Sequence, residues 1–310
     1  MISPVSGARV AVIGGGAVGG LLAVLLHRAD HRVTLCLRTP VDRLTLRTGG
    51  EEAEVPVRLA TAPAEVGPVD WVFLTTKAQD TAGAAGWLRA LTGPGTVVAV
   101  VQNGVDHRER VAPLLPPDAR VLPALAYTAV ERVAPGRIVH HAASELHVPR
   151  GEFARALEEL LDGSGVTVKA VDDFRTAVWE KLFTNLVANP LTTLLQQRLG
   201  VLTHPEMRRL GEDILREALA VARADGAAND ERHIRRTMNR FRHVPPTGGT
   251  SMLYDRAAGR PLEHEHITGA VVRAGERHGI ATPLNSMLLT LLRAVDRELR
   301  GEPAGAQEAE

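Results

Sequence analysis

Gly14, Gly16 and Gly19 form the pattern G-x-G-x-x-G directly after the apolar run Val10–Ile13. In a strand-to-helix turn, the first glycine of such a pattern permits a tight bend. The second lets the backbone approach a pyrophosphate, and the third lets helix and strand pack closely. The pyrophosphate would then rest on the positive N-terminus of the following helix. The alternative is a purely structural glycine turn. The next apolar run ends in Cys36-Leu37-Arg38-Thr39-Pro40. A site for NAD places an acid there, to bond the ribose 2′-hydroxyl. No acid lies between Thr34 and Pro40, and Arg38 stands in its place, where a guanidinium can pair with a 2′-phosphate. The pattern therefore points to NADP, with Arg43 as an assistant; a solvated surface arginine is the bland reading.

A second group lies farther along. Lys181, Asn185 and Asn189 recur at i, i+4 and i+8 among Leu182, Phe183, Leu186 and Val187. On a helix that spacing puts all three on one face. A lysine and two amides are costly to bury unpaired, so the face either lines a polar cavity or points to solvent. Ser251 and Glu263 each stand at a helix start, where capping explains them, and spacing alone does not tie them to Lys181. Two strand ends, Thr75-Thr76-Lys77 and Gln102-Asn103-Gly104, add polar residues at the edge where ligands bind in open α/β sheets. His264 and His266, at i and i+2, do not share a helix face, and no metal site is expected there.

Strands and helices must hold these residues in place. Nearly continuous apolar runs at 10–13, 32–37, 71–75 and 96–102 read as strands buried on both faces. Helical stretches at 18–28 and 152–162 alternate with them, and later strands are expected at 121–130, 137–141 and 166–171. This alternation predicts an α/β chain: an N-terminal Rossmann-type, doubly wound sheet. Beyond about Asp173 the periodicity is helical, at 179–195, 205–224, 231–242, 262–278 and 283–300, with a Pro/Gly loop at 243–250. The expected organisation is a nucleotide-binding domain over 1–172, an all-helical domain over 173–300 and a disordered tail over 301–310. The 310 residues suit two domains. Lys+Arg and Asp+Glu are both 36, which gives no footing for nucleic acid or an acidic membrane. No run reaches the length of a membrane span. Cys36 is the single cysteine, which excludes an intrachain disulfide and suits a cytoplasmic setting.

Taken in order, VIGGGAVGG, TTKA at 75–78, QNG at 102–104, WEKLFTNLVANPLT at 179–192, SMLYD at 251–255, GRPLE at 259–263 and the HGIATP that follows resemble the ketopantoate reductase family. The resemblance covers roughly residues 9–296. It implies NADPH-dependent reduction of ketopantoate to pantoate, a step toward pantothenate. Lys181 matches the family's general acid, and Glu263 the acid that organises substrate and cofactor near it. Asn185, Asn189 and Ser251 match substrate-binding positions, and Asn103 one that touches both ligands. Gly14, Gly15, Gly16, Ala17, Val18, Gly19, Lys77 and Arg38 match cofactor contacts. These roles suit the chemistry: hydride delivery to a ketone builds charge on oxygen, which a nearby ammonium stabilises and protonates. A small 2-oxo acid is the implied partner, and a homodimer the implied assembly. Leu199 stands where the family often has a further asparagine, Leu122-Pro123-Ala124 lacks an expected glycine, and 264–269 departs from the usual acidic-aromatic run. These departures leave open a related NADPH-dependent reductase of another 2-oxo acid or carbonyl compound. A non-catalytic NADP(H) sensor would need neither Lys181 nor Glu263.

Overall fold

The computed structural model describes residues 7–142 and 144–302. The chain forms two compact units. The first runs to Gln102 and resumes over Asp106–Phe174; the second takes Asn103–Val105 and the chain from Arg175 onward.

The first unit is built on six parallel strands in the order Arg58–Ala60, Arg32–Cys36, Arg9–Ile13, Trp71–Leu74, Val97–Val100, Arg120–Pro123. The order reverses beside the first strand, which puts a ligand crevice at the carboxyl ends of Arg9–Ile13 and Trp71–Leu74. The continuous apolar runs have a direct cause. Val10, Val12, Trp71, Phe73, Val97 and Ala99 join one core, packed with the helix Ala17–Arg28. Their neighbours Ala11, Ile13, Val72, Leu74, Val98 and Val100 join another, with Trp87, Leu88 and Leu91. A strand buried on both faces has no polar side to show.

One reading of this unit is corrected. The stretch 121–130 is not one strand. Arg120–Pro123 ends at the sheet edge, where Pro123 lacks the N–H a further ladder bond needs. Leu125–Tyr127 then joins a three-stranded sheet, and Val130–Ala134 begins a strand of a four-stranded one. Val166–Val171 forms as expected and pairs with Ser144–Pro149 in the three-stranded sheet. An unanticipated hairpin joins Leu44–Thr48 to Glu51–Val55. Gly49 and Gly50, at φ 60° and 94°, make its two-residue turn. Glu51–Glu54 are exposed on both faces and so show no alternation to read.

The second unit carries helices Phe174–Leu195, Pro205–Ala224, Glu231–Arg240, Ser251–Ala257, His264–His278 and Pro283–Arg300. The first starts five residues before the expected 179. Its buried side bears Trp179, Phe183, Leu186 and Val187. Gly279 and Gly301, both left-handed, end the last two helices, as glycine does without steric cost. Among the described residues, no helix is long and apolar enough to cross a membrane. The tail expected over 301–310 falls, from 303 on, outside the described residues.

Candidate active site

In the first unit, Gly14 follows the central strand with φ 112°, a value that favours glycine. Its N–H donates to the Cys36 carbonyl at 3.0 Å. A Cβ on Gly14 would lie 2.9 Å from the Thr76 nitrogen. On Gly19 it would lie 2.0 Å from the Gly14 oxygen and 2.2 Å from Thr75 Oγ1. The Thr75 hydroxyl clamps this turn, donating to the Ile13 and Gly14 carbonyls at 2.9 and 3.0 Å. Gly16 differs: a Cβ there would meet nothing within 4 Å. Packing therefore explains Gly14 and Gly19 but not Gly16. The helix Ala17–Arg28 opens at Gly16 with no side-chain cap and no acid in its first turn. The first turn is thus uncapped beside a bare backbone, a setting that fits the pyrophosphate of a dinucleotide.

Around this turn, Ala17 and Val18 sit half-buried at the helix start. Arg38 follows the second strand with its side chain 87% exposed and a guanidinium nitrogen 3.8 Å from Asp80. Lys77 opens the short turn Ala78–Asp80. Gln102, buried, fixes that strand end: its amide nitrogen donates to the Thr76 carbonyl and hydroxyl at 3.0 and 2.9 Å.

In the second unit, six of the sequence-selected residues come together. Lys181, Asn185 and Asn189 occupy consecutive turns of Phe174–Leu195. Asn189 is 3% exposed, and its Oδ1 accepts from Ser251 Oγ at 3.3 Å and from the Met252 N–H at 3.2 Å. Asn185 Nδ2 donates to Asn103 Oδ1 at 3.4 Å. Asn103 Nδ2 donates in turn to Glu263 Oε2 at 3.1 Å. Glu263 is buried, so its carboxylate requires such partners. Lys181 is partly buried, and burial pushes its ammonium down to about 8, against the opposing pull of Glu263. A lysine so placed can release a proton near neutral pH, which an exposed lysine does far less readily.

The structure also corrects the capping account of Ser251 and Glu263. Thr250 is the cap: its hydroxyl accepts from the Leu253 N–H at 3.2 Å and meets the Thr192 hydroxyl at 2.8 Å. That frees the Ser251 hydroxyl for Asn189. Glu263 precedes His264–His278 without a side-chain cap bond, its carboxylate turning to Asn103 instead. Two supporting residues escaped the sequence reading. Thr250 had a signal, a threonine just before a helix. Asp296 had none; it accepts from the Leu262 N–H at 2.7 Å and so fixes the backbone beside Glu263. Leu199, by contrast, joins the loop, its N–H donating to the Gly248 carbonyl at 2.9 Å. Among the described residues, no three His, Cys, Asp or Glu side chains are grouped to hold a metal ion.

The family profile described as "Ketopantoate reductase PanE/ApbA" matches residues 10–152, and that of its C-terminal region matches residues 173–296. A 2-dehydropantoate 2-reductase of Mycobacterium tuberculosis is 40% identical over 92% of this chain and 97% of its own. One from Caulobacter vibrioides is 38% identical over 92% of this chain and 98% of its own. The crystal structure of the 2-dehydropantoate 2-reductase from Geobacter metallireducens superposes with a TM-score of 0.86 at 30% identity, covering 92% of this chain and 99% of that one.

Proposed function

This chain belongs to the ketopantoate reductase family, and from that premise we propose that it reduces ketopantoate to pantoate with NADPH. The observation that carries the reading is the run of hydrogen bonds from Asn185 through Asn103 to Glu263, beside a lysine whose ammonium is lowered to about 8. The glycine turn, Lys77 and Arg38 would hold the dinucleotide, which supplies the hydride when bound. Asn189, Ser251 and Asn185 would hold the carboxylate and hydroxyl of the substrate. Lys181 stands by the keto oxygen. As hydride adds to the keto carbon, the C=O π pair moves onto oxygen, and the Lys181 ammonium stabilises the charge and gives its proton. The neutral amine regains a proton from solvent. Glu263 favours the charged lysine and steadies Asn103. Pantoate formed by the purified protein from ketopantoate and NADPH, detected by chromatography, is the result expected; its absence contradicts the reading.

The proton donor must be charged, so pH sets the rate. kcat/KM for reduction should fall as pH rises through about 8, and pantoate oxidation should rise over the same range. Glu263 holds the Lys181 value up. In Glu263→Gln the alkaline limb should therefore move to lower pH. A limb at the same pH in both proteins contradicts the pairing of Lys181 with Glu263.

The choice of NADPH rests on Arg38, exposed and only distantly paired. Arg38→Ala should weaken NADPH by about 1.5–3 kcal/mol, the loss of a charged hydrogen bond, and leave NADH unchanged. Calorimetry with both dinucleotides checks this; equal losses for the two would show that Arg38 does not read the phosphate.

One observation favours a second reading, reduction of another 2-oxo acid. Leu199, partly buried, puts an apolar side chain where the family often has an asparagine, and its backbone is tied to Gly248. The proposed setting is a cytoplasmic homodimer.

A further inference from the structure

We propose that the Arg175–Asp225 pair is a positioning device for the reaction: it sets the segment Asn103–Val105 against the Lys181 helix. The proposal rests on the function given above and assigns a role to residues outside the substrate-binding set.

Asp225 follows the last turn of Pro205–Ala224. A carboxylate there opposes the helix dipole. Its side chain is only 8% exposed, so it is costly unless well paired. Two donors from one helix and a histidine ring from another converge on it. Arg175 Nη2 pairs with Oδ2. The indole N–H of the fully buried Trp179 donates to the same oxygen at 2.9 Å. His278 Nε2 lies 3.5 Å from Oδ1. Arg175 and Trp179 are one turn apart on the helix that carries Lys181.

Arg175 does more than neutralise Asp225. Its Nε donates to the Asp225 carbonyl at 3.1 Å, and its Nη1 reaches the Val105 carbonyl at 3.5 Å. The planar fork thus spans three acceptors at once, which a lysine cannot do. Val105 lies two residues from Asn103. Asn103 holds Asn185 at 3.4 Å and Glu263 at 3.1 Å. A bond of 3.4 Å is near the limit, so a small shift of this segment breaks it. The helix start itself has other anchors. The Ala228 N–H donates to the Thr176 hydroxyl at 2.7 Å, and Asn229 Nδ2 donates to the Thr176 carbonyl at 3.3 Å. Loss of the Arg175 fork should therefore loosen Asn103 without unfolding the unit.

A double-mutant cycle separates positioning from general stability. Arg175→Lys should lower kcat/KM for the 2-oxo acid by about 10- to 100-fold, the cost of misplacing a group near the reacting centre. In an Asn103→Ala background the same substitution should cost less than about threefold, because the group it positions is gone. The dissociation constant of the 2-oxo acid, measured in the same four proteins, should follow the same pattern and reports even where turnover is too slow to read. If Arg175→Lys does not fold, Asp225→Asn takes its place; it keeps an acceptor for Trp179 and removes the charge that holds Arg175. Equal fold-losses with and without Asn103, or no loss at all, overturn the proposal. No turnover in the unaltered protein would instead contradict the function itself.

Discussion

Lys181→Ala should lower kcat for ketopantoate by at least about 10²–10⁴-fold, the usual worth of a positioned general acid. In the proposed mechanism the substitution removes both the charge that meets the forming alkoxide and the proton that neutralises it. The asparagines and Ser251, proposed to bind substrate, remain, so KM should change far less than kcat. The glycine turn belongs to the other unit, so the NADPH dissociation constant should stay near that of the unaltered protein. Lys181→Arg sharpens the test. It keeps a cation but holds its proton too tightly to give it up near neutral pH. It should recover part of the electrostatic effect and lose the alkaline limb near pH 8. Stopped-flow turnover with fluorescence titration of NADPH separates these quantities. Near wild-type turnover in Lys181→Ala would assign the proton to another group.

The second large effect distinguishes two glycines of one motif. In Gly19→Ala, the new methyl would lie 2.0 Å from the backbone oxygen of Gly14. Backbone cannot yield as a side-chain tip does, so folding should lose about 3 kcal/mol or more. In Gly16→Ala, the methyl meets no protein atom within 4 Å. Stability should change by about 1 kcal/mol at most, the scale of an altered helix cap. A pyrophosphate in that space would, however, meet the methyl directly. A forced contact of about 1–3 kcal/mol corresponds to about a 10- to 100-fold weaker dissociation constant. Thermal unfolding and NADPH titration of both variants form the check. A Gly16→Ala protein that binds NADPH at full strength would place the pyrophosphate elsewhere.

Much of this architecture was legible because burial left periodic marks. The parallel strands showed as unbroken apolar runs, since each is packed on both faces. The face of Lys181, Asn185 and Asn189 showed because a helix repeats its side chains every turn or so. What the sequence could not carry was long-range contact. Asn103 and Glu263 are 160 residues apart and share a hydrogen bond. Nothing in the spacing of either announces it, and only the family resemblance linked them. The same holds for Asp225, an ordinary acid beside a glycine until Arg175, Trp179 and His278 converge on it. The hairpin at Leu44–Val55 escaped for the opposite reason: its second strand is exposed and acidic, so no hydrophobic pattern marks it.

The most direct measurement is the NADPH oxidation rate of the purified protein with ketopantoate, set against other 2-oxo acids under one condition. Ketopantoate should give the highest kcat/KM, about tenfold or more above any other, a gap of roughly 1.4 kcal/mol in transition-state binding. A higher kcat/KM for another 2-oxo acid would contradict the substrate, and no NADPH oxidation with any of them would contradict the reductase itself.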